Sequence, residues 1–326
     1  MMSQFPETRL RRLRRTESLR RLTGQPLPSP GKMIWPVFVV EGENRVEEIS
    51  SMPGQFRMSA DELCRAVEPL AEKGLGGLML FGVIDDELKD AAGSAAFADN
   101  GLVQCAVERL KVEFPDLTLF TDVCLCGYTD HGHCGALHAG TEVDNDETLK
   151  LLQKIALSHA AAGADGVAPS AMMDGQVAAI RKALEANDYS DTILMSYSTK
   201  FASALYGPFR DAADSSPQSG DRKAYQLDPL DRRQALRESK MDEEEGADIL
   251  MVKPATFYLD VISEIRKNSD LPLAAYNVSG EYAMIHALAN SGGGDLNTLA
   301  MENLAAIQRA GADILITYWA NILYDG

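Results

Sequence analysis

Long hydrophobic runs are absent from this sequence. No apolar stretch approaches the roughly 20 residues that a membrane-spanning helix requires, and no signal-type hydrophobic segment follows the N-terminus. Cysteine is scarce, with five in 326 residues, and the chain is too long for a small disulfide scaffold. Because three of the five cysteines fall within eleven positions, we expect one thiol site in a globular protein of the reducing cytoplasm, without a membrane partner.

Positive charge is also under-represented. Lys and Arg number 31 against 48 Asp and Glu, for a formal net charge of −17, which argues against nucleic acid as a general partner. The exception is a segment with seven arginines, at positions 9, 11, 12, 14, 15, 20 and 21. Such a segment can bind RNA, direct the protein to an organelle or lie on an acidic surface of a partner subunit. Glu7 and Glu17 weaken the organelle interpretation, and the acidic remainder of the chain favours packing on a partner subunit.

Two regions are indicated: an N-terminal arm over residues 1–30, which ends in a linker rich in proline and glycine, and a catalytic region over residues 31–326. In the second region, eight strand-like runs alternate with helix-like stretches. The runs cover residues 33–40, 77–83, 117–125, 164–169, 192–197, 247–253, 273–278 and 312–319. A Gly-Ala-Asp repeat at 163–165, 246–248 and 311–313 introduces three of the strands. This pattern predicts an α/β protein with a (β/α)8 TIM barrel, and a doubly wound open sheet is the alternative.

The three clustered cysteines are Cys124, Cys126 and Cys134. The first two are two positions apart, so on an extended strand end their side chains leave the same face, and the glycines that follow allow Cys134 to return beside them. Three thiolates suit a catalytic Zn²⁺ that keeps a fourth position open, whereas buried thiols acting as small hydrophobes are the plainer alternative. His131 and His133 are possible ligands, but the stronger thiolates make them more suitable as neighbours.

In a barrel of this kind, functional side chains sit at the carboxyl ends of the strands. Lys253 ends one apolar strand, and Lys200 occupies the equivalent place on the strand before it. Adjacent strands lie about 4.8 Å apart, so burial and the neighbouring positive charge should favour a neutral amine, which attacks carbonyl carbon to form a Schiff base. The alternative is that each lysine reaches solvent or pairs with Asp122.

Residues 206–228 show little periodicity and are expected to form a long loop that acts as a lid. Arg210 and Arg222 in this segment suit a substrate carboxylate, although surface ion pairs are the alternative. The helix that follows is expected to have Asp228 as its N-cap and Pro229 at its first position. Its acidic end includes Glu238, a possible Mg²⁺ ligand.

Six strings in this sequence together resemble the porphobilinogen synthase (δ-aminolevulinic acid dehydratase) family. They are D-x-C-x-C at 122–126 with the cysteine at 134, APSAMMDG at 168–175, MSYSTKFA at 195–202, YGPFRDA at 206–212, LMVKP at 250–254 and VSGEYA at 278–283. The resemblance implies a (β/α)8 barrel whose N-terminal arm wraps around a neighbour in a homo-octamer. It also implies an enzyme that condenses two molecules of 5-aminolevulinate into porphobilinogen with loss of two waters, in tetrapyrrole biosynthesis.

The same resemblance assigns roles to individual residues. Lys253 forms the Schiff base with the first substrate, and Lys200 forms a second imine or keeps a positive charge near it. Asp122 and Ser170 position an amino group and assist proton transfer. Carboxylate-binding residues are implied on the lid for the second substrate and near the last two strands for the first: Arg210, Arg222 and Gln226, and Ser279 and Tyr318. Tyr276, at the end of the seventh strand, belongs to the same substrate-binding group.

Two metals are implied. This chain has the cysteine version of the metal site, so Zn²⁺ is expected at Cys124, Cys126 and Cys134, while Glu238 matches an allosteric Mg²⁺ position. Other hypotheses explain less of the sequence. A Schiff-base aldolase leaves the three cysteines without a role, a zinc-stabilised RNA-binding protein conflicts with the acidic body, and a non-catalytic oligomeric scaffold is excluded only by activity.

Overall fold

Eight parallel strands close into a barrel in the computed structural model, which describes residues 5–138 and 142–323. The last strand returns to pair with the first, through Met33 with Leu315 and Ile34 with Ile316. The strands are β1 (Met33–Val40), β2 (Gly77–Val83), β3 (Thr118–Val123), β4 (Gly166–Pro169), β5 (Ile193–Lys200), β6 (Ile249–Lys253), β7 (Leu273–Asn277) and β8 (Ile314–Thr317). The predicted (β/α)8 barrel is therefore confirmed, and closure of the sheet excludes the open doubly wound alternative.

One strand boundary differs in a way that matters for the site. The fifth strand was expected to end at residue 197, but β5 continues through Ser198 and Thr199 to Lys200. Both hydroxyls are buried and contact the carbonyl of Met251 on β6, at 3.3 Å from Ser198 Oγ and 3.0 Å from Thr199 Oγ1. Polar residues thus continue the strand because their hydroxyl groups have acceptors on the neighbouring strand.

Ten helices occur in the described residues. They are α1 (Glu17–Thr23), α2 (Ala60–Glu72), α3 (Leu102–Glu113), α4 (Asn145–Ala161), α5 (Gln176–Ala186), α6 (Gly207–Ala212), α7 (Arg232–Glu244), α8 (Leu259–Asn268), α9 (Ser279–Asn290) and α10 (Leu296–Ala310). The start of α7 was predicted wrongly. Asp228 accepts a hydrogen bond from the backbone N–H of Leu230, which forms a turn, and Asp231 instead caps the helix through the N–H groups of Arg233 and Gln234.

The Gly-Ala-Asp repeat closes the end of the barrel opposite the candidate site. Each glycine follows a helix with a positive φ, and each aspartate accepts from the first N–H groups of a neighbouring strand. Asp165 contacts Leu119 N at 2.7 Å, Asp248 contacts Leu194 N at 2.7 Å and Asp313 contacts Leu273 N at 3.0 Å. A cation from an outer helix pairs with each carboxylate: Lys111, Arg181 and Arg266, respectively. Each bond connects the amino-terminal ends of two neighbouring strands. This end of a (β/α)8 barrel is not expected to carry functional residues.

The N-terminal arm carries little of the core. Its described part contains a 3-10 turn at Leu10–Arg14 and helix α1, neither of which has a buried residue, and all seven of its arginines are exposed. Leu10, Leu13 and Leu22 are also exposed. No helix within residues 5–138 and 142–323 is long and apolar enough to cross a membrane. The expected arm and catalytic region extend onto residues 1–4, 139–141 and 324–326, which lie outside the described residues.

Candidate active site

Two lysines meet side by side at the carboxyl ends of β5 and β6. Lys200 and Lys253 are direct partners in the strand register, and both are buried, with 6% and 4% of their surface exposed. Lys200 Nζ donates to the carbonyl oxygen of Ser170, at 2.5 Å, on the loop after β4. Neither side chain reaches solvent, which excludes the alternative that each lysine merely extends into solvent.

Aromatic rings surround the amine of Lys253. Its Nζ lies 4.1 Å from the ring centroid of Tyr276, 4.9 Å from that of Phe209, 5.0 Å from that of Tyr197 and 5.5 Å from that of Tyr206. Burial lowers the pKa of Lys253 to about 7, and the charge of Lys200 acts in the same direction. A large share of this amine is therefore neutral near pH 7, as a nucleophile for carbonyl carbon must be.

A half-buried residue whose Oδ1 atom is buried completes this part of the site. Asp122 lies on β3, and burial raises its pKa to about 6 against the opposing effect of Lys200. Its Oδ1 has no hydrogen-bond partner among the described residues. A carboxyl group with this pKa exchanges protons readily near neutral pH, as general acid–base catalysis requires.

Tyr197 is a further member that sequence reasoning did not assign. Its ring lies within 5.5 Å of Lys200 Nζ as well as beside Lys253, and its buried hydroxyl has no partner among the described residues. Strand alternation would place Tyr197 and Lys200, three positions apart, on opposite faces. A register shift between β5 and β6 interrupts this alternation, and the sequence carries no signal for it.

The three cysteines gather at one point on the loop after β3. Their sulfur atoms all lie within 4.8 Å of one another, with Cys124 Sγ 3.5 Å from Cys126 Sγ, and all three side chains are buried. The strand ends at Val123, so turn geometry, not the strand end expected from the sequence, brings the thiols together. Three converging soft donors in a polar loop fit a thiolate-binding metal such as Zn²⁺.

The two histidines of this loop contact other groups. His133 lies 3.2 Å from the Tyr225 hydroxyl and 3.0 Å from the carbonyl oxygen of Ser219, and both partners belong to the lid. The Nδ1 atom of His131 accepts from the His133 backbone N–H at 3.1 Å. In this structure the histidines therefore connect the cysteine loop (residues 124–134) to the lid.

The lid (residues 206–228) has more structure than its sequence predicted. It begins with a 3-10 turn and helix α6, and it packs on the cysteine loop. Arg222 donates to the carbonyl oxygens of Gly132, at 2.9 Å, and Ser215, and Gln218 N donates to His131 O at 3.1 Å. Residues 213–228 contain no helix or strand, as expected of a long loop, and only α6 was not predicted. The loop packs on the cysteine loop, a contact that periodicity does not reveal.

Several buried polar atoms of the lid have no partner among the described residues. They are Nε of Arg210, Nε of Arg222 and both amide atoms of Gln226. Arg222 and Gln226 are only 5% and 4% exposed, so the surface ion pairs considered from the sequence do not describe Arg222. Buried polar groups normally find a partner, and two guanidinium groups with an amide suit a carboxylate ligand.

A second set of polar groups lies at the ends of β7 and β8. The hydroxyls of Tyr276 and Tyr318 are 3.1 Å apart. Ser279 begins α9, where its hydroxyl accepts from Phe209 N at 2.9 Å. The positive end of a helix dipole and paired hydroxyls form a second place for an anionic group.

Glu238 is half-buried on α7 and lines a cavity of about 580 Å³ that also includes Asp174 and Gln226. Asp122, Cys124 and Cys126 line a separate space of about 20 Å³ under the lid. Burial raises the pKa of Glu238, and the nearby Asp174 adds to this effect. Within the described residues only the three cysteines converge as a group of three ligands. The separation of Glu238 from the lysine site therefore stays a prediction.

The fold and the site define a barrel enzyme with a buried lysine pair, two groups of polar side chains and a thiol cluster. A family described as delta-aminolevulinic acid dehydratase (ALAD) matches residues 7–325. Relatives of that name from Methanothermus sociabilis and Synechococcus elongatus are 52% and 49% identical, over 97% of this chain and 98% and 97% of their own lengths. The chain belongs to the delta-aminolevulinic acid dehydratase family.

A solved structure agrees with this assignment. The delta-aminolevulinic acid dehydratase (porphobilinogen synthase) of Toxoplasma gondii ME49, in complex with the reaction product porphobilinogen, superimposes with a TM-score of 0.95. It is 43% identical, and the match covers 98% of this chain and 91% of that one. The likeness therefore extends over the whole barrel.

Arg57 contacts the first helix of the lid, and this contact allows a test of whether Arg57 stabilises the closed lid. Arg57 donates to the last carbonyl groups of α6, Asp211 O at 2.6 Å and Ala212 O at 2.7 Å. Losing these bonds should destabilise the closed lid by about 1.5 kcal/mol. This change corresponds to about a tenfold larger population of molecules with an open lid. We expect Arg57→Met to speed tryptic cleavage after Arg222 or Lys223 accordingly and to raise KM. Arg65→Met, on the exposed face of α2, is the control, and equal cleavage rates in the two variants would remove Arg57 from lid closure.

Proposed function

We propose that this chain is a hydro-lyase that condenses two molecules of 5-aminolevulinate into porphobilinogen through imine formation at its buried lysine pair. The reaction forms one C–C and one C–N bond and releases two waters. The observation that carries the lysine chemistry is the adjacency of Lys200 and Lys253, both buried, with a pKa of about 7 at Lys253. An amine of this kind combines with a ketone at neutral pH.

Lys253 begins the reaction in this proposal. The neutral Nζ attacks the ketone carbon of the first substrate, and the resulting carbinolamine loses water to give an imine. Asp122, whose pKa is about 6, accepts and returns protons within the enclosed site, and Ser170 helps position the substrate amino group. Lys200, held by the carbonyl oxygen of Ser170, forms the second imine or keeps a positive charge beside the first.

The two groups of polar side chains are the anion-binding ends that receive the two carboxylates. Ser279 and Tyr318, with Tyr276 beside them, bind that of the first substrate. Arg210, Arg222 and Gln226 bind that of the second, and this contact supplies the partners that their buried atoms lack. Binding at both ends aligns the ketone and amino groups of the two molecules, which replaces a bimolecular encounter by a reaction within one site.

Cys124, Cys126 and Cys134 would hold Zn²⁺ in this proposal. An ion held by these three thiolates would supply Lewis-acid chemistry to the second substrate. The closed lid above the small cavity excludes bulk water, which would otherwise hydrolyse the imines. A clustered set of free thiols is suited to the reducing cytoplasm, where we place the protein.

Assembly and a second metal form a separate part of the proposal. The exposed leucines and arginines of the N-terminal arm suit packing on the acidic body of neighbouring subunits in a homo-octamer. Glu238 would bind an allosteric Mg²⁺, an ion that often uses one or two carboxylates and keeps several waters. Its half-buried position near Asp174 supports this assignment.

The imine is tested by reduction with borohydride in the presence of 5-aminolevulinate, followed by intact-mass measurement and peptide mapping. We expect an adduct on Lys253, none on the exposed Lys182, and loss of turnover in Lys253→Ala. Because the neutral amine reacts, the trapping rate should rise as pH increases and level off above the pKa of about 7. A trapping rate that still rises tenfold per pH unit above pH 8 would show that the pKa of Lys253 is not lowered. Activity in Lys253→Ala would refute the imine at this residue.

The thiol cluster is tested by Cys126→Ser, with Cys105→Ser as the exposed control. Loss of one of three thiolates should lower the zinc content after purification and the turnover together, because an alcohol is a far weaker ligand than a thiolate. Metal analysis and activity are measured on the same sample. Full activity of a zinc-free protein would remove the metal from the mechanism.

Mg²⁺ binding and assembly are tested by sedimentation velocity and activity, each with and without Mg²⁺ after chelation. Glu238→Ala should abolish the Mg²⁺ response and shift the distribution away from octamer, while Glu244→Ala on the exposed face of α7 should leave both unchanged. A Glu238→Ala protein that responds to Mg²⁺ as the parent does contradicts this role.

A further inference from the structure

A buried carboxylate joins the loops that follow β6 and β7. Glu281 is 2% exposed, and its two oxygens receive three N–H donors. Oε1 accepts from Thr256 N at 2.6 Å, and Oε2 accepts from Val278 N at 2.9 Å and from Asn277 Nδ2 at 3.1 Å. Since all three partners are donors, the ionised carboxylate, which only accepts, is the form that satisfies them.

These contacts continue into a polar network that reaches β8. Asn277 Nδ2 also lies 3.0 Å from Asn303 Oδ1, and Asn303 Nδ2 donates to Thr256 Oγ1 at 3.1 Å. Thr317 Oγ1, at the end of β8, donates to Asn277 Oδ1 at 3.2 Å. The network therefore links the carboxyl ends of β6, β7 and β8 behind the candidate site.

Each linked segment leads directly to a residue of the proposed reaction. Thr256 follows Lys253 by three positions, Val278 precedes Ser279, and Thr317 precedes Tyr318. We infer that Glu281 is a positioning residue, which fixes the reactive amine of Lys253 relative to the hydroxyls that bind the first carboxylate. This inference rests on the proposed function, because it concerns the geometry of that imine.

A helix cap alone does not account for these contacts. Glu281 is the third residue of α9, and its bond to Val278 N is the return contact of a capping box. The bonds to Thr256 N and Asn277 Nδ2 go beyond a cap, since they reach a different loop and a strand end. Burial raises the pKa of Glu281 to about 7, against the N–H donors of Val278 and Thr256. A buried charge is costly for stability, so its presence is better explained by what it holds in place.

Glu281→Gln is the decisive variant. The amide keeps the volume of the side chain, but its NH2 group must face one of the N–H donors and push the two loops apart. Asp61→Asn is the matched control: Asp61 is 7% exposed in the first turn of α2 and accepts from Asn44 N at 2.9 Å and from Ser59 Oγ at 2.6 Å. Asp61→Asn makes the same change from carboxylate to amide, in the segment that follows β1.

Four quantities are measured on each full-length protein: the urea midpoint, kcat and KM for 5-aminolevulinate, and the rate of borohydride trapping at Lys253. A displacement near 1 Å costs on the order of a hundredfold in rate, so we expect kcat and trapping in Glu281→Gln to fall about 10- to 100-fold. KM should stay within about threefold, because the carboxylate-binding groups themselves are retained. Asp61→Asn, with a comparable loss of stability, should keep the parental kcat and trapping rate.

One outcome would contradict the inference. If Glu281→Gln loses stability as Asp61→Asn does but keeps kcat and the trapping rate, Glu281 is a structural cap and the inference is wrong. Should Glu281→Gln fail to fold, Asn303→Ala decides the question by the same criteria, because it removes two links of the network and leaves the carboxylate in place. Absence of any Lys253 adduct in the unsubstituted enzyme is a different failure, since it overturns the proposed imine itself.

Discussion

The burial of two amines beside each other is the constraint on which the rest of the site depends. A closed parallel barrel places the last residues of β5 and β6 next to one another, and here both are lysines. Two positive charges are unfavourable in such a buried pair. Burial and the charge of Lys200 therefore lower the pKa of Lys253, which favours its neutral amine. Four aromatic rings, the Asp122 carboxyl and the lid enclose this pair, so the same groups that exclude water also set its reactivity.

Stability and reactivity are carried by opposite ends of the barrel. At one end, three aspartates of the Gly-Ala-Asp repeat bind the first N–H groups of neighbouring strands, and each is neutralised by a cation. At the other end, Asp122, Tyr197 and Gln226 keep buried polar atoms without partners. The first arrangement offsets the cost of the second, which is the usual compromise of a site built to receive a polar ligand.

The sequence predicts the barrel and the lysine pair because both follow from local patterns. Eight apolar runs alternate with helices, and strand ends in a closed barrel converge on one mouth, so Lys200 and Lys253 could be placed together without coordinates. Tyr197, Arg57 and Glu281 could not be assigned in this way. Arg57 acts on Asp211 and Ala212, and Glu281 acts on Thr256, in each case across segments whose approach no periodicity encodes.

The N-cap of α7 shows a smaller limit of prediction from the sequence. Asp228 and Asp231 both have the right side chain to begin a helix, and only the turn closed by Asp228 on Leu230 decides between them. The packing of the lid could not be predicted for a related reason. Its order comes from bonds to the cysteine loop, including Arg222 to Gly132 and Gln218 to His131, and not from an apolar face of its own. Those same bonds mean that the two segments are constrained to change together over evolutionary time. The acceptors are backbone carbonyl groups, so a replacement loop that follows a different backbone path would displace them from the lid, and we expect a functional chimera to require both segments from the same parent.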